Sequence, residues 1–139
     1  VLSEIATSSV QQQELLINEV LRIDCPFVSN RRVTRCPVHI AGVDLPEGAH
    51  VKLNWTSANR DEATFGKNRF QPNKHAQDNL VFGMGKHVCP GKTLAMWQLR
   101  IMLNALIDMT PQLHAKEEGA FVREVAPLGG YEHVFIYLR

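Results

Sequence analysis

Apolar residues recur at helical spacing in two parts of the chain, of which the first covers residues 8–24. Four apolar side chains fall on one face of this predicted helix, namely Leu15, Leu16, Val20 and Ile23. Ser8 or Ser9 can cap its N-terminus, and Pro26 ends it because the proline ring forbids continuation. We also expect residues 1–6 to be helical and to follow a preceding segment of a longer protein.

The second predicted helix covers residues 92–109 and is apolar on most of its circumference. Its polar side chains Arg100, Asn104 and Asp108 recur at i, i+4 and i+8 and form one narrow stripe. A helix with this pattern is buried on nearly all sides, so we expect it to lie inside a larger protein. It is too short and too often interrupted by polar residues to cross a bilayer.

Short strands are predicted between the two helices, in residues 27–53. Apolar side chains alternate with polar ones there, at Val33, Val38, Ile40, Val43, Val51 and Leu53. Turns at Gly42 and at residues 46–48 divide the region into a small antiparallel sheet of two or three strands. A helical turn is expected to follow near residues 56–60.

The two remaining regions differ in how their apolar residues are spaced. Residues 61–80 show no period, and an irregular stretch of this length inside a compact domain usually serves a function. Residues 112–139 alternate and predict a terminal hairpin that turns at Gly129 and Gly130. Helices combined with separate antiparallel strands indicate an α+β fold.

Composition narrows the classes of function. The chain has 139 residues, of which 45% are hydrophobic, enough for the core of one domain. A net charge of +1 without blocks of like charge gives no reason to expect a nucleic-acid partner. Three cysteines are too few for a secreted disulfide scaffold. We interpret Cys25 and Cys36 as small buried hydrophobic residues, although a disulfide between them remains open.

The third cysteine, Cys89, lies in a glycine-rich segment directly before the second predicted helix. Glycines surround it at Gly83, Gly85 and Gly91. A thiolate that binds iron must stay deprotonated and must be held by a rigid loop. Glycines let the backbone fold closely around a sulfur and present N–H groups to it, and the positive end of the following helix favours the thiolate. Phe82 can shield such a site from water. The setting of Cys89 therefore suits a thiolate that is held for metal binding.

The segment 82–91 contains the pattern F-x-x-G-x-H-x-C-x-G and resembles the haem-binding loop of the cytochrome P450 family. Residues 19–22 resemble the ExxR pair on the K helix of that family, and residues 58–61 and Arg69-Phe70 resemble the segments that follow in the same order. The resemblance runs from about residue 11 to the end of the chain. It implies that residues 1–139 form the C-terminal, haem-binding part of a single, mainly helical P450 domain, from the K helix through the cysteine loop and L helix to the terminal hairpin.

The resemblance also implies roles for individual residues around the cofactor. Glu19, Arg22 and Arg69 would form a buried structural triad that fixes the cysteine loop. His87 and Arg32 would bind haem propionates, and Arg31 would point to the opposite side of an extended strand. The cofactor-binding set is completed by Phe82 and Gly91.

The implied reaction is that of a haem-thiolate monooxygenase. Cys89 would be the axial ligand of haem b (iron protoporphyrin IX), and one oxygen atom of O2 would enter a small organic substrate. The pocket for that substrate would be bordered by Phe27, Val28, Ser29, Gly129 and Gly130. A ferredoxin or flavin reductase would deliver electrons on the face that carries Lys86, Lys92 and Arg100. The expected location is cytoplasmic.

Two departures from the family pattern and several alternatives remain. The family's Pro-x-Arg-Phe is here Lys67-Asn68-Arg69-Phe70 without the proline, and Gln98 replaces a frequent Glu. The oxygen-activating helix of the family is expected upstream of Val1, so this chain alone should not be a fully competent oxygenase. Open alternatives are a haem-thiolate peroxygenase or isomerase and a truncated, non-catalytic haem-binding chain. A zinc site has no usable ligand spacing among Cys25, Cys36, His87 and Cys89.

Overall fold

The computed structural model describes residues 5, 7–67, 69–109, 111, 113–115, 121–125 and 129–138. Two long helices, α1 (Val10–Ile23) and α5 (Lys92–Met109), frame the chain. Three single-turn helices lie between them, namely α2 (Trp55–Ala58), α3 (Glu62–Phe65) and α4 (Pro72–His75). A 3₁₀ turn at Gly85–His87 precedes α5. The helical start expected at residues 1–6 lies almost entirely outside the described residues.

Helix α1 is capped as the sequence predicts but buries a different face. The Ser9 hydroxyl accepts a hydrogen bond from the Gln12 N–H at 3.3 Å, and the Ser9 N–H donates to the Gln12 side chain at 2.9 Å. The expected apolar face is only partly buried, because Leu15, Leu16 and Ile23 are half-buried but Val20 is 51% exposed. The buried side chains are Gln13, Ile17, Glu19 and Arg22. Three of these four are polar and are held by partners far along the chain, which apolar periodicity cannot reveal.

The region after α1 forms two separate antiparallel ladders rather than one sheet. Strands β1 (Ser29–Val33) and β4 (His50–Asn54) pair, and the short strands β2 (Val38–Ile40) and β3 (Val43–Leu45) pair with each other. Gly42 adopts a φ of +81°, which L side chains rarely adopt, and allows the β2–β3 turn. The predicted two or three strands are therefore four, because the second hairpin is an excursion between β1 and β4.

The C-terminal region is strand-rich, as predicted. Strand β6 (Phe121–Arg123) pairs with β7 (Tyr131–Val134), and β5 (Leu113–Ala115) pairs with β8 (Ile136–Leu138), both antiparallel. The β6–β7 ladder is the inner hairpin, and Gly129 and Gly130 lie directly before β7.

Helix α5 has the predicted bounds, and its expected burial inside a larger protein stays a prediction. Within the described residues, Met96 is its one buried side chain. Its polar stripe faces α1, where Asn104 accepts a hydrogen bond from the Gln13 amide at 2.9 Å and Arg100 lies 3.6 Å from Glu14. Several apolar side chains are exposed instead, namely Leu94, Trp97, Ile101, Met102, Leu106 and Met109. Two of the three residues of the stripe thus contact α1, whereas Asp108 is exposed.

The most buried side chains in the described part of the chain are polar. Arg22, His75, Glu19 and Asn59 are the largest that are fully buried. All three cysteines are free, and Cys36 is exposed, so its interpretation as a buried hydrophobic residue is wrong, whereas Cys25 is buried. None of the described helices has the length and apolar character needed to cross a membrane.

Candidate cofactor site

A cavity of about 1010 Å³ lies between β1, β4, the cysteine loop and the start of α5. Its walls are mainly apolar and include Leu53, Trp55, Phe82, Ala95, Leu99 and Met102. The polar groups that line it are few, namely Asn30, Arg32, His87, Cys89 and Gln98. A large apolar cavity with a few converging polar groups is the usual form of a cofactor or ligand site.

The cysteine loop is closed by its own backbone. The Cys89 N–H donates to the Phe82 carbonyl at 2.8 Å. Gly83 and Gly85 have φ values of +69° and +63°, and a Cβ on Gly83 would lie only 3.1 Å from the His87 carbonyl oxygen. Side chains at these two positions would strain the turn that returns the chain to Cys89. The half-buried Cys89 side chain lines the cavity directly before α5.

The surroundings of the sulfur differ in two respects from the expectation. A Cβ on Gly91 would lie 3.8 Å from Cys89 Sγ, which is ordinary van der Waals contact, so no close approach requires glycine there. Among the described residues, no backbone N–H donates to this sulfur. Cys89 lies three residues before Lys92, the first residue of α5, where the positive end of a helix favours an anion.

Arg31 and Arg32 lie on opposite faces of β1, as adjacent strand residues must. In the ladder Arg32 is opposite Val51 and Arg31 is opposite Lys52. Arg32 lines the cavity, whereas Arg31 lines a separate small groove on the other side of the ladder. His87 reaches the cavity from the 3₁₀ turn. The cavity thus carries one guanidinium and one imidazole near its single thiol.

The residues predicted to border a substrate are only partly at the cavity. Phe27 lines it together with Pro26. Val28, Ser29, Gly129 and Gly130 are not among the residues that line it. The sequence analysis missed Trp55, whose indole N–H donates to Asn30 Oδ1 at 2.5 Å and so holds the end of β4 against β1. The available signal was the alternation of Leu53 and Trp55 in the sequence, although strand β4 itself ends at Asn54.

Behind the cavity, Glu19 and Arg22 form a buried, bidentate ion pair. Arg22 Nε and Nη2 donate to the two Glu19 oxygens at 2.8 and 2.9 Å. Arg22 Nη1 donates to the Asn59 carbonyl at 2.6 Å, and its guanidinium lies 4.6 Å from the centre of the Phe65 ring. This geometry satisfies the charge while the side chain has no exposed surface.

The third member of the expected triad is a different residue. Arg69 contributes its backbone carbonyl, which accepts from Arg22 Nη2 at 3.3 Å, while its side chain is exposed and forms no ion pair with Glu19 among the described residues. His75 takes the expected place, with Nδ1 2.8 Å from Glu19 Oε1. A carboxylate only accepts, so this nitrogen carries the hydrogen. No motif or period marked His75, because its partner lies 56 positions away.

The electrostatics of this cluster favour an ionised Glu19. Burial by itself raises the pKa of the carboxyl, but hydrogen bonds from Arg22, the Gln71 N–H and His75 outweigh burial and lower the pKa from 4.5 to about 2. The Gln71 N–H lies 2.9 Å from Glu19 Oε1. Four donors thus converge on one buried carboxylate.

Hydrogen bonds connect this cluster to the cysteine loop. The buried Asn59 accepts from the Leu80 N–H at 2.8 Å, and the Leu80 carbonyl accepts from the Gly83 N–H at 2.8 Å. The Asn79 side chain donates to the Asn18 carbonyl on α1 at 2.7 Å. The cluster therefore fixes the start of the loop that ends at Cys89.

The cations proposed for a redox partner are not on one surface. Lys86 and Lys92 are exposed beside the cysteine loop, and Lys92 Nζ lies 5.7 Å from the centre of the Phe82 ring. Arg100 is directed to Glu14 on α1 and is only 21% exposed, so it does not extend that surface. Of the three residues predicted for the docking surface, only Lys86 and Lys92 therefore remain.

Comparison with known proteins gives a consistent result. The profile of the cytochrome P450 family matches residues 10–109. Cytochrome P450 144 of Mycobacterium tuberculosis is 34% identical over 126 residues, covering 84% of this chain and 29% of that protein. Cyclomarin C epoxidase CymV of Salinispora arenicola is 43% identical over 94 residues, covering 67% of this chain and 24% of that protein.

A solved structure shows the same fold. CYP109E1 from Bacillus megaterium, in complex with testosterone, superposes with a TM-score of 0.85 at 27% identity, covering 99% of this chain and 39% of that one. The chain thus spans less than two fifths of each of these three relatives. Its α+β architecture is that of the C-terminal portion of their fold. This chain belongs to the cytochrome P450 family.

Proposed function

We propose that this chain is the haem-binding part of a haem-thiolate monooxygenase and that Cys89 is the axial ligand of the iron. The observation that carries the proposal is the single thiol that lines a large apolar cavity and is presented by a closed loop at the N-terminus of α5. Residues 1–139 would form one C-terminal part of a single domain.

The residues at the cavity fit haem, which the P450 family implies. Haem b is a flat, mainly apolar molecule with two carboxylates. The apolar walls match its faces, and Arg32 and His87 offer the donors that carboxylates accept from. Covalent attachment as in c-type proteins requires a C-x-x-C-H motif, and the sequence contains none, which supports haem b.

The contribution of the chain to the reaction is positioning and electronic tuning. When bound, the haem supplies the oxidising chemistry in which one atom of O2 enters the substrate and the other leaves as water, with two electrons and two protons consumed. Cys89 would hold the haem iron as a thiolate and would supply electron density to it. The N-terminus of α5 would favour that thiolate. Glu19, Arg22 and His75 hold the loop in place.

Partners follow from the same proposal. The substrate is a small organic molecule that fits the space beside Phe27. A ferredoxin or flavin reductase with an acidic surface would dock near Lys86 and Lys92, which are exposed beside the loop. The cytoplasmic location stays a prediction.

The test is the absorption spectrum of the reduced, CO-bound protein. We expect a strongly red-shifted Soret band, the signature of thiolate ligation, in the unaltered protein. Cys89→Ala should lose this band, whereas Cys36→Ala is the matched control because Cys36 is exposed and outside the cavity lining. A band that survives Cys89→Ala, or that is absent from haem-reconstituted unaltered protein, contradicts the proposal. Product formation from reductant and O2, rather than from peroxide, separates the monooxygenase from a peroxygenase.

A further inference from the structure

The inner hairpin contacts the chain directly after α1 more closely than a side chain would permit. The Gly129 N–H donates to the Pro26 carbonyl at 3.1 Å. A Cβ on Gly129 would lie 2.2 Å from the Cys25 carbonyl oxygen, a distance that real Cβ atoms do not show. Any larger residue would have to push the two backbones apart, so glycine is needed here for packing and not for its φ.

One side chain reinforces this contact from the other strand of the hairpin. Arg123 Nη1 lies 2.6 Å from Asp24 Oδ1 and donates to the Gly129 carbonyl at 3.1 Å. Its guanidinium also lies 4.1 Å from the centre of the Tyr131 ring. Burial and the Asp24 carboxylate both raise the pKa of Tyr131. Arg123 therefore contacts the end of α1 at Asp24, the backbone at Gly129 and β7 at Tyr131.

The segment held in this way is a wall of the cavity. Pro26 and Phe27 line it, and the buried Cys25 thiol donates to the Phe27 carbonyl at 3.1 Å. The hairpin residues Gly129 and Arg123 do not line the cavity, so any effect on it passes through the wall.

We propose that Asp24, Arg123 and Gly129 form a clamp that fixes the cavity wall at Pro26 and Phe27 and thereby determines which molecules fit beside the cofactor. These three are positioning residues rather than catalytic ones. The proposal rests on the proposed function, since it requires haem in the cavity.

Two azoles that coordinate haem iron serve as probes, the small imidazole and the bulky 4-phenylimidazole. Both are titrated against the haem-loaded protein by absorption spectroscopy, and the ratio of their Kd values reports the space at the wall independently of turnover. Gly129→Ala should change this ratio by about tenfold, because the wall must shift to relieve the clash. Gly130→Ala is the matched substitution and should have an effect of less than about twofold, because its Cβ would meet only the flexible end of Glu124, at 2.8 Å.

The ion pair is tested in the same assay. Arg123→Gln should change the ratio by about threefold, since the partly exposed pair is a weaker restraint than the glycine contact. Glu132→Gln removes one exposed charge from the same hairpin and should leave the ratio unaltered. Exchange of the charges, Asp24→Arg with Arg123→Asp, keeps the ion pair but loses the hydrogen bond to the Gly129 carbonyl, so it should restore only part of the original ratio.

The outcomes separate the two proposals. If both azoles bind the unaltered protein but Gly129→Ala and Arg123→Gln leave the ratio within about twofold of it, the clamp is overturned and the proposed function stands. If neither azole gives a spectral change in the unaltered protein, the proposed function fails and the clamp with it. If Gly129→Ala does not fold, Arg123→Gln and the charge exchange decide.

Discussion

At the residue scale, the alternation of side chains along β1 places two neighbouring arginines on opposite faces of the strand. Arg32 lines the cavity that Cys89 lines, and Arg31 lies on the other face of β1. A guanidinium can bind a carboxylate through two parallel N–H groups, which makes Arg32 the better candidate for a haem propionate.

Arg32→Ala should therefore accelerate haem loss by about 10- to 150-fold, because a charged hydrogen bond contributes about 1.5–3 kcal/mol. The rate of haem transfer to an excess of a haem-scavenging protein measures this effect. Arg31→Ala is the control, with the same charge change on the opposite face. Equal rates for the two variants would show that neither arginine holds the cofactor.

The same scale distinguishes the two arginines proposed for the buried cluster. Arg22→Ala leaves the Glu19 carboxylate buried without its main partner, which should cost about 3–5 kcal/mol and prevent haem incorporation. Arg69→Ala keeps the carbonyl that Arg22 contacts, so its effect should stay within about 0.5 kcal/mol. Thermal unfolding and haem content check both variants. A loss of haem in Arg69→Ala as large as in Arg22→Ala would restore Arg69 to the triad.

At the scale of elements, α1 and α5 are joined by polar contacts. The Gln13 and Asn104 side chains exchange two hydrogen bonds, at 2.9 and 3.3 Å, and Gln13 is buried. The apolar face expected on α1 is partly exposed, while the polar stripe of α5 meets its neighbour. The bounds of α1 and α5 were therefore predicted, but the side chains through which the two helices contact each other were not.

A double-mutant cycle on this contact should detect the coupling. Gln13→Ala combined with Asn104→Ala should give a coupling free energy of about 0.5–1.5 kcal/mol, since each single change removes both hydrogen bonds between the two side chains. The Glu14–Arg100 pair, at 3.6 Å and more exposed, is the comparison and should give less than about 0.5 kcal/mol. Coupling confined to the charged pair would contradict this account of the α1–α5 contact.

At the scale of the whole molecule, one buried carboxylate links folding to pH. The pKa of Glu19 is lowered from 4.5 to about 2, so its contribution is complete above pH 4.5 and is lost as the pH falls toward 2. A change of this size corresponds to about 3 kcal/mol at neutral pH.

We therefore expect the Tm to fall more steeply between pH 4.5 and pH 2 in the unaltered protein than in Glu19→Gln, which has no carboxylate to protonate. Thermal unfolding at several pH values measures the two slopes, and the other carboxylates contribute equally to both. His75→Ala removes one donor to Glu19 and should move the acid transition to higher pH. Parallel slopes for the unaltered protein and Glu19→Gln would contradict the low pKa.

The helix bounds, the strand-rich C-terminus and the family were predictable because they depend on local signals. Ser9 and Gln12 form the capping box from adjacent positions, and α5 begins and ends at the predicted residues. The loop pattern from Phe82 to Gly91 identified the family without any long-range contact. Each of these features depends on residues that are close together in the sequence, so its pattern is visible without the tertiary structure.

What the sequence by itself determined is the chemistry offered by the chain: one thiol in a glycine-rich loop, an ExxR pair on a helix and a terminal hairpin. Only the tertiary structure decided which groups meet. His75 rather than the Arg69 side chain completes the Glu19 cluster, and Gly129 packs against the wall at Cys25 instead of lining the cavity. The physical reason is that both choices join atoms separated by more than 50 positions, where burial and geometry select the partner and local preference does not.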